Sequence, residues 1–250
     1  MTTALERGLR IIELLAEEET ELTLKEIGRR LGIPSPSLWR LLSLLRERGY
    51  VNYDPDKRTY RLGFKFLYMG NVLLGGAGYR SQAREHLKEL VALTGETAEL
   101  SSRIKDQLVL IDQVEGPDAI RLFSRVGSAY PYFHATAPGK VYLAHLEKEK
   151  FYRVMEKMGL PAITPHTKTD IKELDRELDR VRERGFAVDH QELRIGVSRV
   201  AAPLYGKDRH VMACVGVAGP SFRLTPQREE EVGRAVLMVA KKIMEEIGGI

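Results

Sequence analysis

Cysteine is almost absent from this sequence, since Cys214 is the only one among 250 residues. A single cysteine excludes an internal disulfide framework and any cysteine-rich metal site. A chain without disulfides is typical of a reducing compartment, so we expect a cytoplasmic protein. Cys214 lies in the apolar segment 211–215, which predicts a buried, inert thiol rather than a nucleophile.

Long apolar runs are also missing. The longest apolar stretch, residues 66–77, is interrupted by Asn71 and is shorter than the ~20 residues that a membrane-spanning helix requires. The N-terminal segment has acidic residues between its apolar positions, and no small-residue cleavage site follows, so no signal peptide is predicted. We therefore expect no membrane among the partners.

Common catalytic and metal-binding motifs are absent too. The six histidines have neither HxxxH nor HxH spacing, so nothing in the sequence favours a metal site. There is no Walker loop and no GxSxG motif, and the glycine-rich segment 75–78 has no Lys-Ser/Thr after it. We predict no metal, no cofactor and no catalytic residue; an enzyme fused to a DNA-binding domain is the alternative.

Positive charge is concentrated in one segment. The chain has 39 Lys and Arg against 35 Asp and Glu, a formal net charge of +4. Residues 22–65 contain ten basic and four acidic residues, so their net charge is +6 and that of the remainder is −2. A basic module joined to a slightly acidic one favours a polyanion-binding end and a separate function elsewhere. A solvated basic surface is the alternative.

Residues 1–63 have the pattern of a winged helix-turn-helix domain. Apolar residues at helical spacing predict a first helix: Leu5, Leu9, Ile12 and Leu15. Thr23 and Glu26 form a capping box that starts a second helix, and Gly32 ends it. A third helix has Ser35 as its N-cap and Pro36 at its first position, and ends at Gly49. Two strands at 50–53 and 59–62 flank a turn and form a basic hairpin, the wing.

The third helix of such a domain enters the major groove, with its first turns facing the base edges. Arg40 is predicted to make a bidentate contact with guanine, worth ~1–3 kcal/mol of discrimination. A phosphate contact, or a pair with Glu26, is the alternative for Arg40, and Trp39 is as suited to packing on a neighbour as to contacting DNA. The predicted DNA-binding residues are Ser35, Ser37, Leu38, Trp39 and Arg40 on the helix, with Lys57 and Arg58 on the wing as phosphate contacts.

From residue 80 onward, strands alternate with helices in a way that predicts one sheet covered by helices, an α/β or α+β domain. The predicted strands are 97–103, 108–114, 120–124, 186–189, 197–203 and 211–218, and the predicted helices are 138–146, 148–158, 170–184 and 225–247. An apolar helix at 64–77 is expected to pack on a partner chain, with burial inside one chain as the alternative. Segment 75–78 breaks that helix and is a candidate hinge.

Several segments together resemble the IclR family of bacterial transcription regulators. They are LTLKEIGRRLGIPSPSLWRLLSLLRERGYV at 22–51, YRLG at 60–63, HATAPGK at 134–140, RERGFAVD at 182–189, and the spacing of Glu192, Gly196 and Ala201-Ala202-Pro203. The resemblance covers nearly the whole chain. It implies an α+β protein with a winged helix-turn-helix at 1–63, a linker helix at 64–79 and a GAF-like effector-binding domain at 80–250, assembled as a homodimer or homotetramer.

The resemblance also places an effector between the sheet and the HATAPGK segment. The corresponding residues here are Ile120, Phe123, Ala137, Pro138, Asp189, Arg199, Gly216 and Ala218. Ala137 and Pro138 precede a helix, whose N-terminal amides favour an anion. The effector position departs from the family pattern at three residues: Arg199 stands where the family often has cysteine, and Gly216 and Ala218 where it often has serines.

These departures predict a small organic acid as the effector. Arg199 would bind a carboxylate or another oxyanion, while Gly216 and Ala218 leave room for a larger body, aromatic rings included, beside Ile120 and Phe123. A salt bridge from Arg199 to Asp189 or Glu192 is the alternative. The sequence thus predicts a transcription regulator that binds a double-stranded DNA operator in response to this effector. The alternative is an architectural or partner-recruiting DNA-binding protein without an effector.

Overall fold

The computed structural model describes residues 3–18, 20–76, 78–104, 107–130 and 132–247. The chain forms two compact units, Met1–Gly76 and Ala77–Ile250, and the division between them falls inside the segment predicted as a linker. None of the helices in the described ranges combines the length and the apolar character that a membrane span requires.

The first unit is a winged helix-turn-helix, as predicted. Its helices are α1 (Ala4–Glu17), α2 (Leu24–Leu31), α3 (Ser35–Glu47) and α4 (Lys65–Gly76), and its strands are β1 (Leu22–Thr23), β2 (Val51–Asp54) and β3 (Thr59–Leu62). The strands form an antiparallel sheet in the order β1-β3-β2, so the wing has a third, short strand that was not predicted. Ile11, Ile27, Leu38, Leu42 and Val51 form the centre of the core.

Local signals set most of the helix ends in this unit. Both hydrogen bonds of the capping box between Thr23 and Glu26 are present at the start of α2, and Gly32 ends that helix with a φ of 65°. The start of α3 differs from the prediction. The helix already begins at Ser35, so Pro34 is the N-cap residue, and its side chain has no oxygen that could form a cap. Ser35 therefore does not act as the N-cap.

The apolar surface of α1 is only partly used for the core. Ile11 and Leu15 are buried, whereas Leu5 and Leu9 are exposed by 74% and 50%. Helix α4 ends at Gly76, and the next helix begins at Gly78. The predicted hinge at 75–78 includes Ala77, which lies outside the described residues.

The second unit is a six-stranded antiparallel sheet with helices on both faces. The strands, in the sheet order β6-β5-β4-β9-β8-β7, are β4 (Thr97–Ile104), β5 (Gln107–Val114), β6 (Ala129–Tyr130), β7 (Ala187–His190), β8 (Val197–Tyr205) and β9 (Val211–Pro220). The helices are α5 (Gly78–Thr94), α6 (Ala137–Ala144), α7 (Lys148–Met158), α8 (Ile171–Arg184) and α9 (Glu229–Glu246), with short 3-10 turns at Phe133–Ala135 and Pro226–Arg228. The fold is α+β, as predicted.

The alternation of side chains along the strands separates two cores. One face of the sheet packs against α5 and α9 through residues such as Leu100, Val215 and Val236. The other face packs against α6 and α8 through residues such as Ala201 and Cys214. The second face also carries polar side chains, and these form the candidate ligand site.

Two predicted elements of this unit are wrong. Segment 120–124 was predicted as a strand but is an irregular loop, because no neighbouring strand pairs with it. The final helix was predicted to start at Thr225, but a 3-10 turn intervenes and Thr225 makes no side-chain cap. The short strand β6, by contrast, was not predicted, and it contributes Tyr130 to the site described below.

Candidate functional site

The first two turns of α3 form a largely exposed surface. Ser35, Trp39 and Arg40 are exposed, Trp39 by 59%, and Ser37 is half-buried. Arg40 forms no ion pair with a carboxylate in the described ranges, and the Glu26 carboxylate is held in the capping box of α2. The alternative pair between Arg40 and Glu26 is therefore not formed. This surface combines hydroxyl, aromatic and guanidinium groups, the types that contact base edges and phosphates.

Leu38, by contrast, belongs to the interior of the unit. Its side chain is fully buried and packs in the core with Ile11, Ile27 and Leu42. It lies on the face of α3 that holds the helix against α1 and α2. The prediction that Leu38 contacts DNA is therefore wrong, because a side chain with no exposed surface reaches neither a base nor a phosphate.

The tip of the wing carries two exposed cations. Lys57 and Arg58 lie in the turn between β2 and β3, and Arg58 has a positive φ of 54°. The Lys57 ammonium lies 3.5 Å from Glu21 and 4.0 Å from Asp54, but its side chain is 67% exposed. Such surface pairs contribute about 0–1 kcal/mol. These weak ion pairs therefore leave Lys57 able to bind a phosphate.

A buried polar cluster lies on the sheet face that packs against α6, and we call it the Arg199 cluster. It consists of Arg199 on β8, Asp189 on β7, Glu99 on β4 and Tyr130 on β6. Strand register sets Arg199 opposite Asp189, and Nη1 of Arg199 donates to Oδ2 of Asp189 over 3.2 Å. Nε of Arg199 lies 3.9 Å from Oε2 of Glu99. The predicted salt bridge between Arg199 and Asp189 is therefore present, whereas Glu192 has other partners.

Glu99 is the member of this cluster that links it to a surface loop. Tyr130 donates its hydroxyl to Oε2 of Glu99 over 2.8 Å, and Ser124 donates to Oε1 over 2.9 Å. Sequence reasoning missed both Glu99 and Tyr130. A signal for Glu99 exists, because it is a charged residue near the middle of a predicted strand, on the face that also carries Thr97 and Ser101. No such signal exists for Tyr130.

Burial and neighbouring charges both shift the pKa values of the groups in the cluster. Burial alone would lower the pKa of the Arg199 guanidinium, but Glu99, Tyr130 and Asp189 more than offset this, so its pKa is raised. Burial raises the pKa of Asp189 although Arg199 opposes the rise. Burial, and then Glu99, raise the pKa of Tyr130 well above its ordinary value. At neutral pH, Arg199 is thus a cation and Tyr130 keeps its proton.

The space beside the Arg199 cluster is small. A cavity of about 10 Å³ lies between Arg199, Pro138, Cys214 and Gly216, and this is about the volume that one water needs. A Cβ atom at Gly216 would lie 2.2 Å from the carbonyl oxygen of Val200, so the adjacent strand fills the space next to this glycine. The expected room beside Gly216 is therefore not present. Ala218, opposite Arg199 in the register, is fully buried.

The structure does not bring every predicted effector residue to this cavity. Ile120 and Phe123 lie in the loop between β5 and β6, and their side chains are 62% and 61% exposed. Ala137 and Pro138 are buried at the start of α6, and Pro138 lines the cavity. The start of α6 has few free N–H groups that could bind an anion, since Pro138 lacks an N–H and the Gly139 N–H donates to the Thr136 hydroxyl.

A second buried ionic network holds α6 in place next to the cluster. Lys140 is completely buried, and its ammonium donates to Glu177 over 2.7 Å, to Glu192 over 2.5 Å and to the carbonyl oxygen of Val188 over 3.0 Å. These partners belong to α8, to the loop after β7 and to β7 itself. A buried cation with three acceptors has the hydrogen bonds that offset its desolvation. The network therefore fixes the HATAPGK segment against the sheet.

Cys214 is a structural residue in this unit. It is buried beside α6, and burial raises the pKa of its thiol to about 12. A thiol with such a pKa is uncharged at neutral pH, and the thiolate is the nucleophilic form. The expected inert character of Cys214 agrees with this environment. Among the described residues, no group of three His, Cys, Asp or Glu side chains is arranged to hold a metal ion.

Comparison with known proteins identifies relatives over both units. The family described as "IclR helix-turn-helix domain" matches residues 4–55, and the family described as "Bacterial transcriptional regulator IclR C-terminal" matches residues 73–245. The HTH-type transcriptional regulator XynR of Escherichia coli is 33% identical over 88% of this chain and 87% of its own.

Solved structures agree with the sequence relatives. The IclR transcriptional regulator from Alicyclobacillus acidocaldarius superposes with a TM-score of 0.85 at 30% identity, covering 98% of each chain. An IclR homolog from Microbacterium hydrocarbonoxydans, solved in complex with 4-hydroxybenzoate, superposes with a TM-score of 0.83. It is 22% identical and covers 99% of this chain and 100% of its own, so the likeness concerns the fold.

Proposed function

The chain belongs to the IclR family of bacterial transcription regulators, and on that premise we propose that a small organic acid bound at the Arg199 cluster changes its affinity for operator DNA. In this proposal Ser35, Ser37, Trp39 and Arg40 contact the operator from the major groove. Lys57 and Arg58 contact phosphates beside it. The second unit is the sensor.

One observation carries the choice of an acid. Nε of Arg199 is buried and has no hydrogen-bond partner among the described atoms, although Nη1 binds Asp189. A buried donor without a partner costs about 1–3 kcal/mol, so a ligand oxygen that accepts from Nε gains this amount. A carboxylate oxygen suits the Nε–H of a guanidinium in particular, since the two groups form a charge-assisted hydrogen bond.

The small volume of the cavity limits how an acid can bind. With about 10 Å³ beside Arg199, an organic acid enters only when neighbouring groups move. The group best placed to move is the loop between β5 and β6, because its Ser124 and the adjoining Tyr130 contact the cluster through Glu99. Binding of the acid would thus be coupled to a rearrangement of this loop. Differential binding to two conformations is the requirement for an effector.

The experiment has two stages. Thermal shift with aliphatic and aromatic mono- and dicarboxylates identifies the acid, since a ligand of the native state raises the melting temperature. The hits are then added to titrations of operator DNA, selected beforehand from genomic fragments. The 4-hydroxybenzoate found in the Microbacterium homolog makes hydroxylated aromatic acids the first class to test.

The Arg199→Lys variant tests the role of the guanidinium. Lysine keeps the charge but cannot form the fork, so we expect the affinity for the acid to fall about tenfold or more while the protein stays folded. Arg180→Lys, an exposed position on α8, is the matched control. If no acid changes the melting temperature or the DNA affinity, the chain is a DNA-binding protein without such an effector.

A further inference from the structure

A larger cavity lies next to the Arg199 cluster, and we call it the α7 groove. It has a volume of about 450 Å³ and lies between β5, β6, α6 and α7. This volume falls in the range of about 300–1,000 Å³ that small-molecule sites have. Of the described residues, only Tyr130 lines both cavities, so the groove is separate from the space beside Arg199.

The walls of the α7 groove are mostly aromatic. Tyr130, Phe133 and Tyr142 line one side, and the rings of Phe133 and Tyr142 meet edge to face with centroids 5.3 Å apart. Val154 and Met158 of α7 line the other side. Aromatic rings attract a further ring in offset or edge-to-face geometry, and thioethers also make favourable contacts with rings. The apolar part of the groove therefore suits a flat aromatic ligand.

Two cations stand on the same side of α7 as the apolar wall. Arg153 and Lys157 are one helical turn apart and both line the groove. The ion pair of Arg153 among the described residues is a 3.5 Å contact with Glu149. Both side chains of this pair are more than 75% exposed, so the pair contributes little. The groove thus has aromatic walls and cationic side chains at its edge.

We propose that the α7 groove is a second ligand site, which binds an aromatic monocarboxylate. The ring lies against the walls formed by Phe133, Tyr142 and Met158, and the carboxylate pairs with Arg153 and Lys157. The charge complementarity selects an anion over a neutral ring, and the aromatic walls select a ring over a simple acid. The proposal does not depend on an effector at Arg199, because the two cavities have different cations.

The test uses 2-naphthoate and its uncharged counterpart 2-naphthamide as probes, titrated calorimetrically into the full-length protein without DNA. We expect saturable binding of one naphthoate per chain, and at least tenfold weaker binding of the amide. Arg153→Gln and Lys157→Gln should each weaken naphthoate binding severalfold, and the double variant more than tenfold. Lys148→Gln, also on α7 but outside the groove lining, should leave it unchanged.

A blocking variant provides a second test. Val154→Trp fills the groove from the half-buried face of α7, so naphthoate binding should disappear while thermal unfolding shows that the fold is kept. Naphthoate binding that survives both the double variant and Val154→Trp overturns the proposal, as does the lack of saturable binding. If naphthoate binding is lost in Arg199→Lys but not in the groove variants, the ligand binds at the Arg199 cluster, and this result also overturns the proposal. None of these readouts requires an effect on DNA.

Discussion

Arg40 is the exposed guanidinium of the α3 surface, and its role in DNA binding is open to a direct test. In Arg40→Ala we expect operator affinity to fall by about 1–3 kcal/mol, because a bidentate contact with guanine would be lost. The affinity for unrelated DNA should fall much less. Fluorescence anisotropy with labelled operator and with scrambled DNA, at one fixed salt concentration, measures both effects.

Lys57→Ala serves as the comparison for Arg40→Ala, since a phosphate contact weakens binding to all sequences alike. Its loss should reduce the slope of log affinity against log salt by about 0.9. Arg180→Ala, exposed on α8 in the other unit, should change neither quantity. If Arg40→Ala behaves like Lys57→Ala, with equal losses on both DNAs and a smaller salt slope, then Arg40 binds phosphate and does not read a base.

Glu177 gives the second prediction at the scale of single residues. Burial would raise the pKa of its carboxyl, but the ammonium groups of Lys140 and Lys168 together more than offset this, and the pKa lies below the ordinary value of 4.5. A carboxyl with a lowered pKa in the folded state stabilises the protein above its unfolded pKa, and this stability is lost as the pH falls through the folded pKa. The stabilisation by Glu177 should therefore be complete at neutral pH and decline below pH 4.5.

Urea unfolding of the wild type and of Glu177→Gln at several pH values measures this stabilisation. The difference in the free energy of unfolding should be largest near neutral pH and shrink as the pH falls below 4.5. Glu173→Gln, an exposed position one turn earlier on α8, should show a small difference that does not vary with pH. A constant gap for Glu177→Gln would mean that its charge is not what stabilises the network.

At the scale of elements, the approach of the turn Phe133–Ala135 to α6 depends on one glycine. A Cβ atom at Gly139 would lie 2.2 Å from the backbone oxygen of Phe133, so Gly139→Ala must push the turn away from the helix. We expect a loss of about 1–3 kcal/mol in unfolding free energy, the usual cost of overpacking. Gly8→Ala in α1 is the matched control, because nothing lies within 4 Å of its Cβ position.

Helix propensity predicts the opposite sign for this control. Gly8 lies inside α1, and replacing a helical glycine with alanine stabilises by about 0.5–1 kcal/mol. Denaturant unfolding of both variants therefore compares the same chemical change in a crowded and an open place. Equal effects on the two variants would show that the contact between α6 and the turn adjusts without cost.

Elements whose signals are local were predicted well. Helix α7 has the bounds predicted, because Phe151, Val154, Met155 and Met158 follow the helical period and Gly159 ends the helix. Segment 120–124 shows the limit of the same reasoning. Its alternating pattern predicted a strand, yet in the structure it lies in a loop, where Arg223 donates to the carbonyl oxygen of Ile120. Alternation makes a strand only where a partner strand is available.

Only the part of the candidate site that depends on neighbouring strands was predicted. Arg199 and Asp189 lie on adjacent strands that are joined by a short connection, so the sequence suggested their salt bridge. Glu99 and Tyr130 reach Arg199 only through the strand order of the whole sheet. Such an order is a non-local property that the periodicity of single segments does not contain. The tight packing around Gly216 could not be predicted from the sequence for the same reason.

At the scale of the whole molecule, the segment from Phe64 through α4 has a set of exposed apolar side chains. Leu67, Tyr68 and Val72 of α4, and Phe64 just before it, are each more than 55% exposed. These side chains are therefore not part of the core of the first unit. A continuous exposed apolar surface marks an interaction site, which supports the prediction of a homodimer or homotetramer.

The double variant Leu67→Glu, Val72→Glu tests whether α4 joins two copies. Four charges in a symmetric interface would repel and be desolvated, so we expect a smaller assembly by analytical ultracentrifugation. Because two winged helices bind half-sites about one DNA turn apart, affinity for a two-half-site operator should fall by at least tenfold, while binding to one half-site stays the same. Arg180→Glu on exposed α8 is the control for added acidic charge. An unchanged assembly with normal operator affinity would assign the association to another surface and leave the apolar side of α4 for a different partner.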